Sequence, residues 1–143
     1  YAARDAYLKF LRLNKPCVVN DDWHAQLLQA QNAYKDDLAI VVSYSGETLE
    51  VVECMKALRQ QGTPIIAITR HMGSPVAELS DYRLYTTDDG VPLCGGAMSS
   101  HVSQLNIIDI LFTAYANSAY ECCLSQLSGT LAAPAAAHTL GTA

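Results

Sequence analysis

The sequence lacks any cluster of lysines or arginines, which limits what this chain can bind. Among its 143 residues, nine are basic and fourteen are acidic, and the net charge is −5. Proteins that hold DNA or RNA present a basic patch to the phosphate backbone, so we expect no direct nucleic-acid binding by this chain. No apolar run approaches the ~20 residues that span a bilayer, and no basic and then apolar leader opens the sequence. These absences predict a soluble, cytoplasmic protein without a membrane partner.

The cysteines lack the paired spacing of metal and redox sites. Their number is odd and no two form a C-x-x-C motif: Cys17, Cys54, Cys94, Cys122 and Cys123. Reduced thiols are therefore expected, with Cys17 and Cys54 as small core residues. The sequence also has no Gly-x-Gly-x-x-Gly run for a dinucleotide. It lacks the glycine followed by lysine that marks a nucleotide phosphate loop. We predict neither a metal nor a cofactor.

An apolar run that ends in a serine- and glycine-rich turn is the most informative feature present. Residues 38–42 carry no polar side chain, which predicts a strand buried on both faces in a parallel sheet. Residues 49–61 then show an apolar helical stripe, and Gly62 ends the predicted helix. A turn between a strand and a helix aims backbone N–H groups and the positive end of the helix dipole at whatever lies above the strand. This layout predicts a phosphate site.

Three hydroxyl groups lie in or beside that turn, on Ser43, Ser45 and Thr48. One interpretation is structural, with Ser45 or Thr48 capping the helix and Gly46 permitting the turn. A cap uses one side-chain oxygen, however, so the additional hydroxyls favour an anionic ligand. Because the motifs of nucleotide binding are missing, a smaller phosphate such as a sugar phosphate fits better.

Helices and strands alternate along the whole predicted chain. The expected helices are 1–13, 23–33, 49–61, a short turn at 76–79 and 97–127, and the expected strands are 16–19, 38–42, 65–69 and 82–86. This alternation predicts an α/β fold, a three-layer α-β-α sandwich with a mostly parallel sheet. In such a fold the ligand site lies at the carboxyl ends of the strands. The serine- and glycine-rich turn at 43–48 follows the end of a predicted strand, so it lies at that same edge.

The long helix, which begins near Ala97 and ends near Leu127, is apolar nearly all round. Such a helix needs cover on more than one side, so it either lies deep in the fold or forms a subunit interface. We expect a homo-oligomer through this helix. The residues after it, 128–143, are small and low in complexity, and we expect them to form a mobile tail behind a domain at 1–127.

Several segments together resemble the SIS (sugar isomerase) domain, a sugar-phosphate-binding module, of the kind found in RpiR-type transcriptional regulators. The resemblance covers about residues 1–116 and is carried by the turn at 43–48, the strand and loop at 65–77, and the last helix with Gly96-Ala97-Met98-Ser99-Ser100, Gln104-Leu105 and 108–112. It implies a flavodoxin-like effector domain whose first strand, which precedes Tyr1 in the family, is missing. It also implies that DNA is contacted only through an N-terminal helix-turn-helix domain that this chain lacks.

The resemblance further implies which residues bind the ligand. The phosphate contacts of the family carry over to a set within the turn: Ser43, Tyr44 through its backbone, Ser45, Gly46 and Thr48. Regulators of this type often have arginines at the positions of Cys94 and His101, so a positive partner for an anionic sugar is missing or replaced here. His101 could still donate a hydrogen bond to a ligand, or it could be an exposed or interface histidine.

The sequence leaves three functions open. The first is a cytoplasmic sensor with no chemistry of its own, the dimeric or tetrameric effector domain of a regulator. The second is a sugar-phosphate aldose–ketose isomerase, which needs a base beside a carbonyl and a group that moves a proton between oxygens, with Glu47, His71 and His101 as candidates. The third is an interaction module that has lost its ligand. No convergent acid–base pair stands out in the sequence, so the sensor is favoured.

Overall fold

Helices and strands alternate along the part of the chain that the structure describes, which is residues 1–70, 73–86 and 96–137 of a computed structural model. Their order in this part of the chain is α1 (Ala2–Arg12), α2 (Trp23–Gln31), β1 (Ala39–Val42), α3 (Leu49–Gln61), β2 (Ile65–Thr69), α4 (Pro75–Leu79), β3 (Tyr82–Tyr85), α5 (Gly96–Ser118) and α6 (Tyr120–Ala137). The strand and helix on either side of the predicted turn at 43–48 are thus β1 and α3.

The strands form one parallel sheet in the order β1-β2-β3. In register, Val42 lies opposite Ile68, and Thr69 lies opposite Tyr85. The carboxyl ends of the strands therefore meet at one edge of the sheet. The predicted α/β fold with a parallel sheet is confirmed.

Apolar residues cover both faces of the sheet, because successive side chains of a strand point to opposite faces. On one face, α2, α3 and α4 pack against Ile65 and Ala67 of β2. On the other face, Ala6 of α1 and Ile108 of α5 pack against Ile68. Helices thus lie on both sides of the sheet, which is the predicted three-layer arrangement.

Local signals in the sequence set several helix boundaries. Asp22 caps α2, since its carboxylate accepts a hydrogen bond from the N–H of Ala25 at 2.8 Å. Gly62 ends α3 in the left-handed conformation, with φ of 75°. Asn14, just after α1, is also left-handed, with φ of 55°. These boundaries agree with those predicted from the sequence.

Two predicted elements differ from the structure. Residues 16–19 form no strand, and none of the described strands pairs with them. The single helix predicted at 97–127 is two helices, which separate at Ala119. Just before the break, the Ser118 hydroxyl donates to the carbonyl of Tyr115 at 2.7 Å, a local bond that competes with helix continuation. Helix α6 continues past 127, so the division between a domain and a tail stays a prediction.

The cysteines predicted for the core differ in their burial. Cys54 is buried and Cys17 is half-buried. Burial raises the pKa of each thiol above its ordinary value, which favours the protonated form. Cys54 is confirmed as a core residue, whereas Cys94 lies outside the described residues.

Helix length and polarity bear on membrane insertion. Helix α5 has 23 residues, a length that could reach across a bilayer. Its sequence includes polar side chains, among them Ser103, Gln104 and Asn106. Within the described ranges, no helix combines the length and the apolar character that a membrane crossing requires.

Candidate functional site

The turn after β1 carries the side chains that the sequence singled out. Ser43 is buried, whereas Ser45 is exposed at the edge of the sheet. The Ser43 Oγ accepts a hydrogen bond from the N–H of Gly46 at 3.2 Å, and the Ser45 Oγ accepts one from the N–H of Glu47 at 3.3 Å. The serines therefore shape the turn as acceptors, and a hydroxyl that accepts still has its own proton to donate.

Gly46 occupies a position that excludes a side chain. Its φ of 70° lies in the left-handed region, which glycine adopts without steric cost. An added Cβ would lie 2.3 Å from the Ser74 Oγ and 2.8 Å from the Thr69 Oγ1. The backbone of the turn thus lies directly against side chains that follow or end β2.

Hydrogen bonds fix the turn to the segment after β2. The carbonyl of Tyr44 accepts from the N–H of Arg70 at 3.1 Å, and the carbonyl of Gly46 accepts from the N–H of Val76 at 3.1 Å. The Thr69 hydroxyl also donates to the Tyr44 carbonyl, at 3.5 Å. Because its carbonyls are engaged by a neighbouring segment, the turn is held in one orientation, as a preorganised site requires.

Helix α3 begins directly after the turn, and neither of the expected caps serves it. Thr48 occupies the N-cap position, but its side chain makes no capping hydrogen bond. Ser45 bonds to Glu47, which precedes the helix. The N–H groups at 49–51 have no partner within the helix, and the helix dipole places partial positive charge beside them. These donors can serve an anionic ligand.

The remaining predicted residues lie on other elements or outside the residues that the structure describes. His101 is exposed near the start of α5, and its ring meets that of Tyr1 edge-on with centroids 6.2 Å apart. The structure thus joins His101 to the residue before α1, and its contact with a ligand stays a prediction. Of the isomerase candidates, Glu47 is exposed within the turn. His71, like Cys94, lies outside the described residues.

Three further polar residues reach this edge and were not predicted from the sequence as part of the site. They are Thr69, Arg70 and Ser74. Thr69 and Ser74 are buried, and their hydroxyls face Gly46. Arg70 is half-buried, and its guanidinium carbon lies 5.0 Å from the centroid of the Tyr44 ring. The signal that could have found them is their place at or after the end of β2, since the carboxyl ends of parallel strands share an edge.

The fold and this edge together define a class of protein, the open α/β domains that take a ligand at the carboxyl ends of parallel strands. Comparison with known families makes the assignment specific, because the SIS domain matches residues 1–114. The chain belongs to the SIS domain family.

Relatives of this chain include HTH-type transcriptional regulators. An uncharacterized one from Caldanaerobacter subterraneus subsp. tengcongensis is 39% identical over 128 residues, which cover 90% of this chain and 45% of the relative. The HTH-type transcriptional regulator RpiR of Escherichia coli K12 is 32% identical over 112 residues, which cover 78% of this chain and 38% of RpiR. The chain is therefore homologous to the SIS domains of RpiR-type regulators and spans less than half the length of these two relatives.

A solved structure with a bound sugar phosphate has the same fold. The NanR protein of Vibrio vulnificus, complexed with ManNAc-6P, matches with a TM-score of 0.84 at 25% sequence identity. The match covers 99% of this chain and 54% of the NanR chain. This similarity confirms the α/β architecture independently of the sequence patterns.

Proposed function

We propose that this chain is the sugar-phosphate-sensing domain of an RpiR-type transcriptional regulator of the cytoplasm. The observation that carries the proposal is the turn at 43–48, which brings hydroxyls and the uncapped start of α3 to one edge of the sheet. Its relatives are HTH-type transcriptional regulators, and the similar NanR is complexed with ManNAc-6P. DNA contact belongs to a separate domain, because this chain has a net charge of −5 and no basic cluster.

The proposed phosphate contacts are of two kinds. Backbone N–H groups at the start of α3 donate to the phosphate oxygens, where the helix dipole favours negative charge. The hydroxyls of Ser43, Ser45 and Thr48 add side-chain donors, and hydrogen bonds to an ionised acceptor are about twice as strong as neutral ones. These groups would hold a phosphate in a sensor and in an isomerase alike, and the HTH-type regulators among the relatives favour the sensor.

Thermal unfolding of the full-length protein with a panel of sugar phosphates tests the proposal. A ligand that binds only the folded state stabilises it, by about 2.7 kcal/mol at a concentration 100 times its Kd. We expect the melting temperature to rise with one sugar phosphate, with ManNAc-6P the first compound tried, and to stay constant with the unphosphorylated sugars. No shift with any compound would contradict the sensor and favour a module that has lost its ligand. An isomerised product after extended incubation would favour the isomerase.

A substitution at Ser45 tests the assignment of the turn. Ser45 is exposed, so Ser45→Glu should leave the fold intact while placing a carboxylate where the phosphate is proposed to lie. Repulsion between the two anions should abolish the ligand-induced rise in melting temperature. Gln60→Glu adds the same charge at an exposed position near the other end of α3 and should keep the rise. Unchanged affinity in Ser45→Glu would remove the turn from the site.

A further inference from the structure

Arg70 holds a positive charge beside the turn at 43–48. Its N–H donates to the carbonyl of Tyr44 at 3.1 Å. Its guanidinium carbon lies 5.0 Å from the centroid of the Tyr44 ring, which is a cation–π contact. The residue is half-buried and its Nε atom is buried. Tyr44 therefore contacts both the backbone and the side chain of Arg70, and the cation is fixed at the edge of the sheet where the turn lies.

The other charged groups near the turn make this cation significant. The donors of the turn are hydroxyl and N–H groups, which are neutral. Glu47 is exposed in the turn and Glu50 is exposed in the first turn of α3, and their carboxylates repel an anionic ligand. A positive partner would offset both the charge of a doubly charged phosphate bound here and the charges of these carboxylates. In the described part of the chain, Arg70 is a basic residue whose N–H bonds to the turn backbone and whose guanidinium lies against the Tyr44 ring.

We propose that Arg70 supplies the positive charge that binds the phosphate group of the ligand, with Tyr44 as the residue that positions it. This inference rests on the proposed function and names the residue that would neutralise the charge of the phosphate group. A guanidinium matches phosphate oxygens with two parallel hydrogen bonds. The aromatic ring beneath it restricts the side chain before the ligand arrives, so less rotamer entropy is lost on binding.

Titration calorimetry on the full-length protein, with ManNAc-6P and with inorganic phosphate as probes, tests the role of Arg70. Arg70→Gln should weaken binding of both probes about ten- to hundredfold and reduce the salt dependence of the affinity. Arg12→Gln is the matched control, since it removes the same charge from an exposed position at the end of α1 and should change neither quantity. Tyr44→Phe keeps the aromatic ring beneath the guanidinium and should lose less affinity than Tyr44→Leu, which removes it.

The outcomes separate this inference from the proposed function. If the wild type binds ManNAc-6P and Arg70→Gln binds it equally well, the role of Arg70 is wrong and the sensor proposal stands. If the wild type binds no member of the sugar-phosphate panel and no inorganic phosphate, both proposals fail. Should Arg70→Gln unfold, the affinity of Arg70→Met is measured in its place, since this variant keeps an aliphatic stem against the Tyr44 ring. If the variant measured has the same salt dependence of affinity as the wild type, the inference is also overturned.

Discussion

At the scale of single residues, Gly46 is held by two separate constraints. Its backbone is left-handed, and its Cα hydrogen faces the buried hydroxyl of Ser74. Gly46→Ala has to keep a strained φ and also displace Ser74, because the new Cβ would lie 2.3 Å from the Ser74 Oγ. We expect a loss of about 2–4 kcal/mol in the free energy of unfolding, measured by urea denaturation.

Gly73 provides the matched control for that substitution. Its φ of 84° is also left-handed, but an added Cβ would meet no atom within 4 Å. Gly73→Ala therefore carries only the conformational cost, about 1 kcal/mol. Equal losses at the two glycines would mean that Ser74 moves away from the new methyl group at no cost in stability.

The residues of the candidate site divide into those that sequence order reveals and those that it does not. Ser43, Ser45 and Thr48 could be found because they surround a glycine between an apolar strand and a helix. Thr69 and Arg70 could not be found as readily, because their distance from the turn depends on the parallel register of β1 and β2. Pairing register is a property of the sheet, and no local pattern in one segment encodes it.

At the scale of elements, apolar runs predicted strands well where a neighbouring strand exists. The run at 65–69 became β2. The run at 38–42 became β1, which pairs with β2 but is half-buried rather than buried on both faces as predicted, because it lies at the edge of the described sheet. The run at 16–19 is as short and as apolar, yet it forms no strand. An apolar run records a tendency toward burial, whereas a strand also needs a partner for its backbone groups. None of the described strands pairs with this segment.

Lys9 on α1 contacts two carboxylates, and the one on α5 joins the two helices. Its Nζ pairs with Asp5 on its own helix and with Asp109 on α5. Lys9→Met keeps the apolar stem but loses both ion pairs, so we expect the free energy of unfolding to fall by about 0.5–1 kcal/mol in urea denaturation. Lys56→Met, at an exposed position on α3, is the control and should change it by less than about 0.5 kcal/mol.

The difference in the free energy of unfolding between the wild type and Lys9→Met should depend on pH, which gives a second check on the Lys9 ion pairs. Burial alone would lower the pKa of Lys9, but hydrogen bonds to Asp109 and Asp5, with their negative charges, outweigh burial and raise the pKa above its ordinary 10.5. A pKa that is higher in the folded state contributes stability that is complete below 10.5 and is lost as the pH rises through the folded value. The gap between the wild type and Lys9→Met should therefore be constant near neutral pH and shrink in alkali. A gap that widens in alkali would contradict the ion pairs.

At the scale of the whole molecule, one layer of helices leaves apolar side chains in contact with solvent. Helices α1, α5 and α6 contact one another and cover one side of the fold. Their exposed apolar residues are Leu8, Leu11, Val102, Ile110, Tyr120 and Leu124. Exposed apolar side chains on neighbouring helices favour association, and a two-fold pair of identical chains covers the same patch on both copies. The homo-oligomer predicted from the apolar helix sequence therefore remains our expectation.

Ile110→Lys tests this association, because Ile110 is 59% exposed on α5 and a lysine there is compatible with the folded monomer. We expect the wild type to sediment as a dimer or larger species at micromolar concentration and Ile110→Lys to sediment as a monomer with an unchanged circular dichroism spectrum. Leu28→Lys is the matched control, since Leu28 is 47% exposed on α2 across the sheet, and it should stay associated. A monomeric wild type, or an Ile110→Lys variant that associates like the control, would contradict the interface. The substitution is a sensitive test because a two-fold interface contains the new charge twice, so both partners lose apolar contact and gain a like-charged neighbour at once.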